Sequence, residues 1–275
     1  MSSRLSSVQA RLLPNGPLDV VRQVVLFMAA YQIYRLTRGL VNDPAAATAA
    51  FQHTRDLINI EQGLHLFIEP SLQAFAASQT WLLDGASWMY INAQTSITLG
   101  ALAWLYLFRN ESFYFVRNMF LFAFGIAVIG YAVFPTAPPR FFPEWGFFDA
   151  VSDFTGVPQD SVTINELFNP YAAVPSMHVG FALMVSVPIA RLVKWRALKV
   201  FWSLYPLLVV FVIVVTANHF IADAVLGACA AGIGALCARA LARTRPDVWK
   251  FMPQRAAAAA AVPAPAGSAA VGVVP

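Results

Sequence analysis

Residues 198–241 read LKVFWSLYPLLVVFVIVVTANHFIADAVLGACAAGIGALCARAL. Two apolar runs, about 198–216 and about 219–241, each have the roughly 20 residues a helix needs to cross about 30 Å of hydrocarbon. Almost nothing separates them, so the stretch predicts a transmembrane hairpin. Working outward, four further segments reach the same length: about 18–40, 86–108, 113–134 and 176–193. The first is the least clean, since Arg22, Gln23, Gln32, Arg35 and Arg38 interrupt or flank it. The expected architecture is all-α, a polytopic six-helix membrane bundle spanning 18–245. Composition agrees: 59% of the 275 residues are hydrophobic and 12% charged, where soluble domains carry roughly 25% charge. The same figures exclude a disordered chain, which needs low hydrophobicity and high net charge. Cys229 and Cys237 both lie inside an apolar run and argue for neither a disulfide scaffold nor a zinc site.

Lys and Arg are retained on the cytoplasmic side of a membrane. With the N-terminus inside, 14 of the 18 cations fall in inner loops and only Arg35, Arg38, Arg55 and Arg140 fall outside. This orients both termini to the cytoplasm and the long loops, about 41–85 and 135–175, outward. The net charge of +4 is therefore largely the orientation bias and no signal for nucleic acid. Residues 1–17 lack a signal peptide's apolar core and cleavage site and read as a cytoplasmic segment before an uncleaved anchor. Residues 246–275 end in an Ala/Pro/Gly/Val tract expected to be a disordered cytoplasmic tail. Residues 64–83 are apolar but broken by Glu69-Pro70, which suits a helix lying in the interface.

Ionisable groups at span ends are costly unless paired, and so are informative. They gather in three places: Pro135-Thr136-Ala137-Pro138-Pro139-Arg140, Pro175-Ser176-Met177-His178 and His219-Phe220-Ile221-Ala222-Asp223. His178 and His219 are 41 residues apart, two spans' worth, so the chain leaves and returns to one membrane level. Arg140 ends the third span on the same side. His219 and Asp223 are four apart, which on a helix places a carboxylate where it can hold the imidazole tautomer. Pro175 and Ser176 suit a helix start whose N–H groups can receive an anion, and the Arg140 fork suits a phosphoryl group. Together the parts point to phosphoryl transfer, with a nucleophilic histidine, its carboxylate, a second histidine as proton donor and cationic stabilisers.

These motifs also resemble those of the type 2 phosphatidic acid phosphatase superfamily of membrane lipid phosphatases and phosphotransferases. Pro175-Ser176-Met177-His178 and His219 to Asp223 look like its second and third motifs. The Pro-Thr-Ala-Pro-Pro run at 135–139, with Thr216-Ala217-Asn218-His219, is similar to the inositol phosphorylceramide synthase branch and its inositolphosphotransferase-like bacterial relatives. The resemblance covers about 85–241. It implies that His219 attacks phosphorus to form a phosphohistidine with Asp223 positioning it, that His178 protonates the leaving oxygen and then activates the acceptor, and that Arg140 and Ser176 grip the phosphate. It also implies a lipid phosphate or phospholipid substrate in the bilayer, an outer-face site, and no metal or other cofactor. The sequence departs from the wider family at Val212 and Ile213, where lipid phosphatases place Ser-Arg, and at Val133 and Phe141, where they place Lys and Pro. Two phosphate-binding cations are thus absent from those positions, and Arg35, Arg38 and Arg55 are candidates to replace them.

Blander readings stand beside these. Arg140 also fits a snorkelling interfacial arginine. Glu61 and His65, four apart, could in principle ligate a metal, which would make a metal-dependent hydrolase, but a polar interfacial face explains them as well. His53 reads as a loop residue, and Asp149, Asp153, Asp160 and Glu166 as a solvated loop face. The cluster Phe141, Phe142, Trp145, Phe147 and Phe148 reads as an interfacial belt or as a platform for lipid tails. The alternative function is a non-catalytic membrane protein that binds or transports lipid phosphates.

Overall fold

The computed structural model describes residues 16–40, 44–158 and 171–245; residues 1–15 of the expected cytoplasmic segment, the loop acids Asp160 and Glu166, and the expected tail at 246–275 lie outside them. Ten α-helices are found among the described residues: α1 Pro17–Leu40, α2 Pro44–Gly63, α3 Glu69–Ala77, α4 Thr80–Trp88, α5 Gln94–Phe108, α6 Asn110–Val133, α7 Ala150–Thr155, α8 Met177–Leu192, α9 Arg196–Val215 and α10 Ile221–Thr244. A π-helical turn, Met89–Ala93, joins α4 to α5 without a break. The architecture is helical throughout, as the hydropathy pattern predicts. Three helices, α6, α9 and α10, are long and apolar enough to cross a membrane, and α8 is a shorter apolar helix. Large apolar side chains such as Leu204, Leu207, Val225, Ile233 and Leu236 point outward from α9 and α10. A helix that turns leucines and isoleucines away from its own protein needs an apolar solvent. The chain is a membrane protein.

The segment 64–83, expected as one interfacial helix, is divided. Proline can start a helix but not continue one, so Pro70 sits in the first turn of α3. The chain then bends at Ser78-Gln79 and restarts as α4.

Packing at the centre depends on small residues. The buried face of α10 is Ala224, Gly227, Ala230, Ala231, Gly234 and Ala238, a stripe at helical spacing that lets backbones approach closely. A Cβ on Gly234 would stand 2.9 Å from the Met119 carbonyl oxygen of α6, and one on Gly227 would stand 2.1 Å from the Ser176 carbonyl oxygen just before α8. Aromatic rings fill the other side of α6, where Phe120 and Phe124 meet Phe27 of α1 and Phe181 of α8.

Arg117, expected from the sequence in an inner loop, is buried within the bundle. Its guanidinium donates to Gln23 Oε1 at 2.8 Å and to Asn118 Oδ1. Gln23 donates in turn to Asp19 Oδ1, while the Tyr106 and Tyr114 hydroxyls donate to Asp19 Oδ2 at 2.9 and 2.7 Å. Gln23, one of the polar residues that interrupt the first apolar run, and the nearby Asp19 thus fasten α1 to α5 and α6 within one network.

At the opposite end of the bundle, α2 and the loop after α6 form a cover. His53 stacks on Phe134 with ring centroids 4.2 Å apart and donates from Nδ1 to the Pro135 carbonyl at 2.8 Å. Thr54 bonds both the N–H and the carbonyl of Ala137. His53 is therefore an anchor rather than an ordinary loop residue. Phe142 and Phe147 are buried, packing on Phe51 and Phe220 respectively. They form the core of this cover, as loop packing predicts, and these two rings face protein rather than lipid.

Candidate active site

α9 ends in a tight turn at Thr216–His219. The Ile213 carbonyl accepts from both Asn218 and His219 N–H groups, at 3.1 Å each. Ala217 takes the left-handed conformation with φ +53°, unusual for a residue with a Cβ. The helix does not resume at His219, which precedes it, because α10 starts at Ile221 with Phe220 as its N-cap. His219 and Asp223 nevertheless meet, Nδ1 to Oδ2 at 3.1 Å. The reason is not a shared helical face. Asp223 is the third residue of the helix, where an acid folds back over the first turn, and the same Oδ2 also accepts the Phe220 N–H at 3.0 Å. With Nδ1–H donated to a carboxylate, the lone pair of His219 lies on Nε2.

His178 lies in the first turn of α8. Its ring centroid is 5.3 Å from that of His219, and Tyr90 stacks on it at 4.8 Å. Gln94 Nε2 donates to the His178 carbonyl at 2.8 Å, which pins the start of α8 to the start of α5. The Ser176 N–H donates to the Asp223 carbonyl at 3.0 Å, so the two histidine segments are tied backbone to backbone. The Ser176 hydroxyl is buried with no partner. A buried hydroxyl without a partner is uncommon, and here it lies beside the helix start that the sequence marks as an anion site.

Arg140 lies in a short 3-10 turn, Pro139–Phe141, set by the prolines around it. Its N–H donates to the Ala217 carbonyl at 3.0 Å and its Nη1 to Asn218 Oδ1 at 2.6 Å. Asp149 faces its Nε at 3.8 Å, and the guanidinium lies over the Phe141 ring at 5.0 Å. Arg140 is thus held by the same turn that presents His219, and its side chain is largely covered rather than snorkelling. Asp149 is no solvated loop acid: it caps α7 through the Ser152 N–H and faces Arg140. All five residues marked in the sequence, His219, His178, Asp223, Arg140 and Ser176, gather at one end of the bundle.

Three further residues join them, in roles other than any read from the sequence. Asn218 orients Arg140 and is itself held by donating to Thr216. Glu61 and Glu69, both buried, reach across from α2 and α3 to the start of α10. Glu69 Oε1 accepts the Ile221 N–H at 3.0 Å, and Glu61 Oε1 accepts the Ala222 N–H at 2.8 Å. Burial, and next the Glu69 charge, push the Glu61 carboxyl up to about 8. His65, by contrast, is exposed beyond the end of α2 with φ +56°, so the Glu61/His65 pair does not converge. Among the described residues no group of three or more His, Cys, Asp or Glu is arranged to hold a metal. Of the three candidate replacement cations, Arg55 is exposed, and the side chains of Arg35 and Arg38 lie outside the described residues.

Asn218 offers a test of the Arg140 geometry. Asn218→Ala removes the acceptor that aims the guanidinium and leaves a charged donor to repartner, a loss of about 1.5–3 kcal/mol for a hydrogen bond to a charged group. The expected result is a KM for phosphorylated lipid raised about tenfold or more, with a smaller change in kcat, measured by steady-state kinetics in detergent micelles.

No curated protein and no solved structure matches the chain. The family comparison does match: the model described as PAP2 superfamily covers residues 55–237, from α2 to near the end of α10 and thus every residue of the site. The chain belongs to the PAP2 superfamily.

Proposed function

We propose that the chain is an integral membrane enzyme that moves a phosphoryl or phospho-headgroup from a lipid-linked donor, by way of a phosphohistidine on His219, at the outer face of a six-span bundle with both termini cytoplasmic. The observation that carries this is the pairing of two imidazoles 5.3 Å apart, one of them held by a buried carboxylate. In the first step His219 Nε2 attacks phosphorus. The N–P bond forms, the P–O bond to the leaving group breaks, and His178 gives its proton to the departing oxygen. In the second step the acceptor's O–H proton goes to His178, the new O–P bond forms and the N–P bond breaks. Arg140, the Ser176 hydroxyl and the N–H groups at the start of α8 stabilise the equatorial oxygens. Asp223 holds the Nδ1–H tautomer and the imidazolium-like charge that develops on His219.

Water as acceptor makes the enzyme a lipid phosphatase. Inositol or a lipid alcohol makes it an inositolphosphotransferase-like transferase, the reading favoured by the 135–139 and 216–219 motifs. The test is a panel of phosphatidate, polyprenyl phosphate and phosphatidylinositol with and without ceramide or free inositol, run on purified protein with and without EDTA. Rapid quenching with labelled donor is expected to trap an acid-labile, alkali-stable phosphoprotein, and turnover is expected to survive EDTA. Turnover without a covalent phosphoprotein, abolished by EDTA, would overturn the phosphohistidine route.

A further inference from the structure

Three successive backbone N–H groups at the start of α10 are each taken by a different carboxylate: Phe220 by Asp223, Ile221 by Glu69 and Ala222 by Glu61. A helix start is ordinarily where a phosphate would be received, but this one is filled by the chain's own acids. Glu61 and Glu69 are 3% and 0% exposed, and they take the N–H groups of two adjacent residues, which sets their carboxyls side by side. Their second oxygens, Glu61 Oε2 and Glu69 Oε2, are buried with no hydrogen-bond partner. Two ionised carboxylates can only accept, so neither could satisfy the free oxygen of the other. One proton between them supplies the missing donor, and two like charges this close and this dry cannot both form.

We propose that Glu61 and Glu69 are a proton-sharing pair of positioning residues that clamps the first turn of the last helix, and through it sets His219 and Asp223 for phosphoryl transfer, releasing that clamp when the shared proton is lost. The inference rests on the phosphoryl-transfer reading for its effect on turnover, though not for its effect on stability. The titratable groups facing Glu61 are Glu69 from α3 and Asp223 from α10, both acids. Loss of the shared proton therefore sets three buried negative charges around one helix turn, next to a site that must also accept an anionic phosphate.

The sign of the pH effect follows. A carboxyl raised from 4.5 to about 8 in the folded chain keeps a proton that the unfolded chain has released. Stability is then highest below about 4.5 and falls as pH rises towards 8, because the folded state binds more protons across that window. The full chain in detergent should show a melting temperature that declines from pH 5 to 8.5, and Glu61→Gln, which keeps an acceptor for Ala222 but removes the titration, should flatten the decline. In turnover, the wild-type rate should fall on the alkaline side near pH 8, and Glu61→Gln should move that limb up by about one pH unit or more. Glu61→Leu removes the acceptor too and should lower kcat by about 10–100-fold with little change in KM, as a small misplacement of the nucleophile does. A melting profile in Glu61→Gln with the same pH slope as wild type overturns the shared proton. An alkaline limb that does not move overturns the link to turnover. The melting profile needs no substrate, so it decides the pair even if a His219→Ala control turns over as fast as wild type and the phosphohistidine reading fails.

Discussion

His219→Ala is expected to lower kcat by about 10⁶-fold, to the background of the assay, as removal of a covalent nucleophile does in a hydrolytic triad. Nothing in the site offers Nε2 a substitute. His178 is in the first turn of another helix, positioned by Gln94 and stacked against Tyr90, where it is placed to move a proton, whereas Asp223 holds the ring of His219. Asp223→Asn is expected to cost about 10⁴-fold in kcat, the size seen when an orienting acid is replaced and the imidazole tautomer is lost. The two variants should differ in the covalent intermediate. His219→Ala should trap no labelled phosphoprotein, whereas Asp223→Asn should still accumulate some, slowly. Because Asp223 also accepts the Phe220 N–H, circular dichroism and melting of both variants should accompany the kinetics. Equal turnover by His219→Ala and wild type would defeat the mechanism outright.

Gly227→Ala is the second large effect, and it touches no reacting group. The added methyl would sit 2.1 Å from the Ser176 carbonyl oxygen, a contact that cannot exist, and the obstacle is backbone rather than a side-chain end. Either α8 moves away from α10 by an ångström or more, or the Pro175-Ser176 segment shifts. In both cases His178 and the Ser176 hydroxyl separate from His219. Misplacement on that scale costs about 10²-fold in rate, and overpacking costs a further 1–3 kcal/mol of stability. Kinetics in micelles with a melting curve measure both. Gly232, where a Cβ would meet nothing within 4 Å, is the control: Gly232→Ala should leave turnover and melting near wild type. A normal rate in Gly227→Ala would mean that the spacing of the two histidines is not set by this helix contact.

The extent of the fold legible in the sequence follows from the solvent. Lipid demands long unbroken apolar runs with every backbone group bonded internally, so α6, α9 and α10 stand out by length and hydropathy alone, and their ends agree with the expected spans to within a few residues. The segment 64–83 is less legible, because short helices packed on a protein carry no such periodic demand, and only the bend at Ser78-Gln79 divides α3 from α4.

For the site, the same division holds residue by residue. His178, His219, Asp223, Arg140 and Ser176 are legible because ionisable and hydroxyl groups at span ends are rare and spaced by whole spans. Asn218, Glu61 and Glu69 are not. Asn218 acts by bonding a guanidinium 78 residues away, and Glu61 and Glu69 by accepting N–H groups 161 and 152 residues away. A carboxylate in an amphipathic segment has the same appearance whether it faces water or a buried helix start. The sequence alone determined a membrane-embedded helical bundle with two histidines and a carboxylate returned to one level, since chain length and hydrocarbon thickness leave little choice. Only the tertiary structure decided that His219 precedes its helix rather than belonging to it, that Asn218 holds Arg140, and that two buried glutamates clamp the turn behind the nucleophile. Those contacts depend on which surfaces pack, and packing is specified by shape across the whole chain rather than by local pattern.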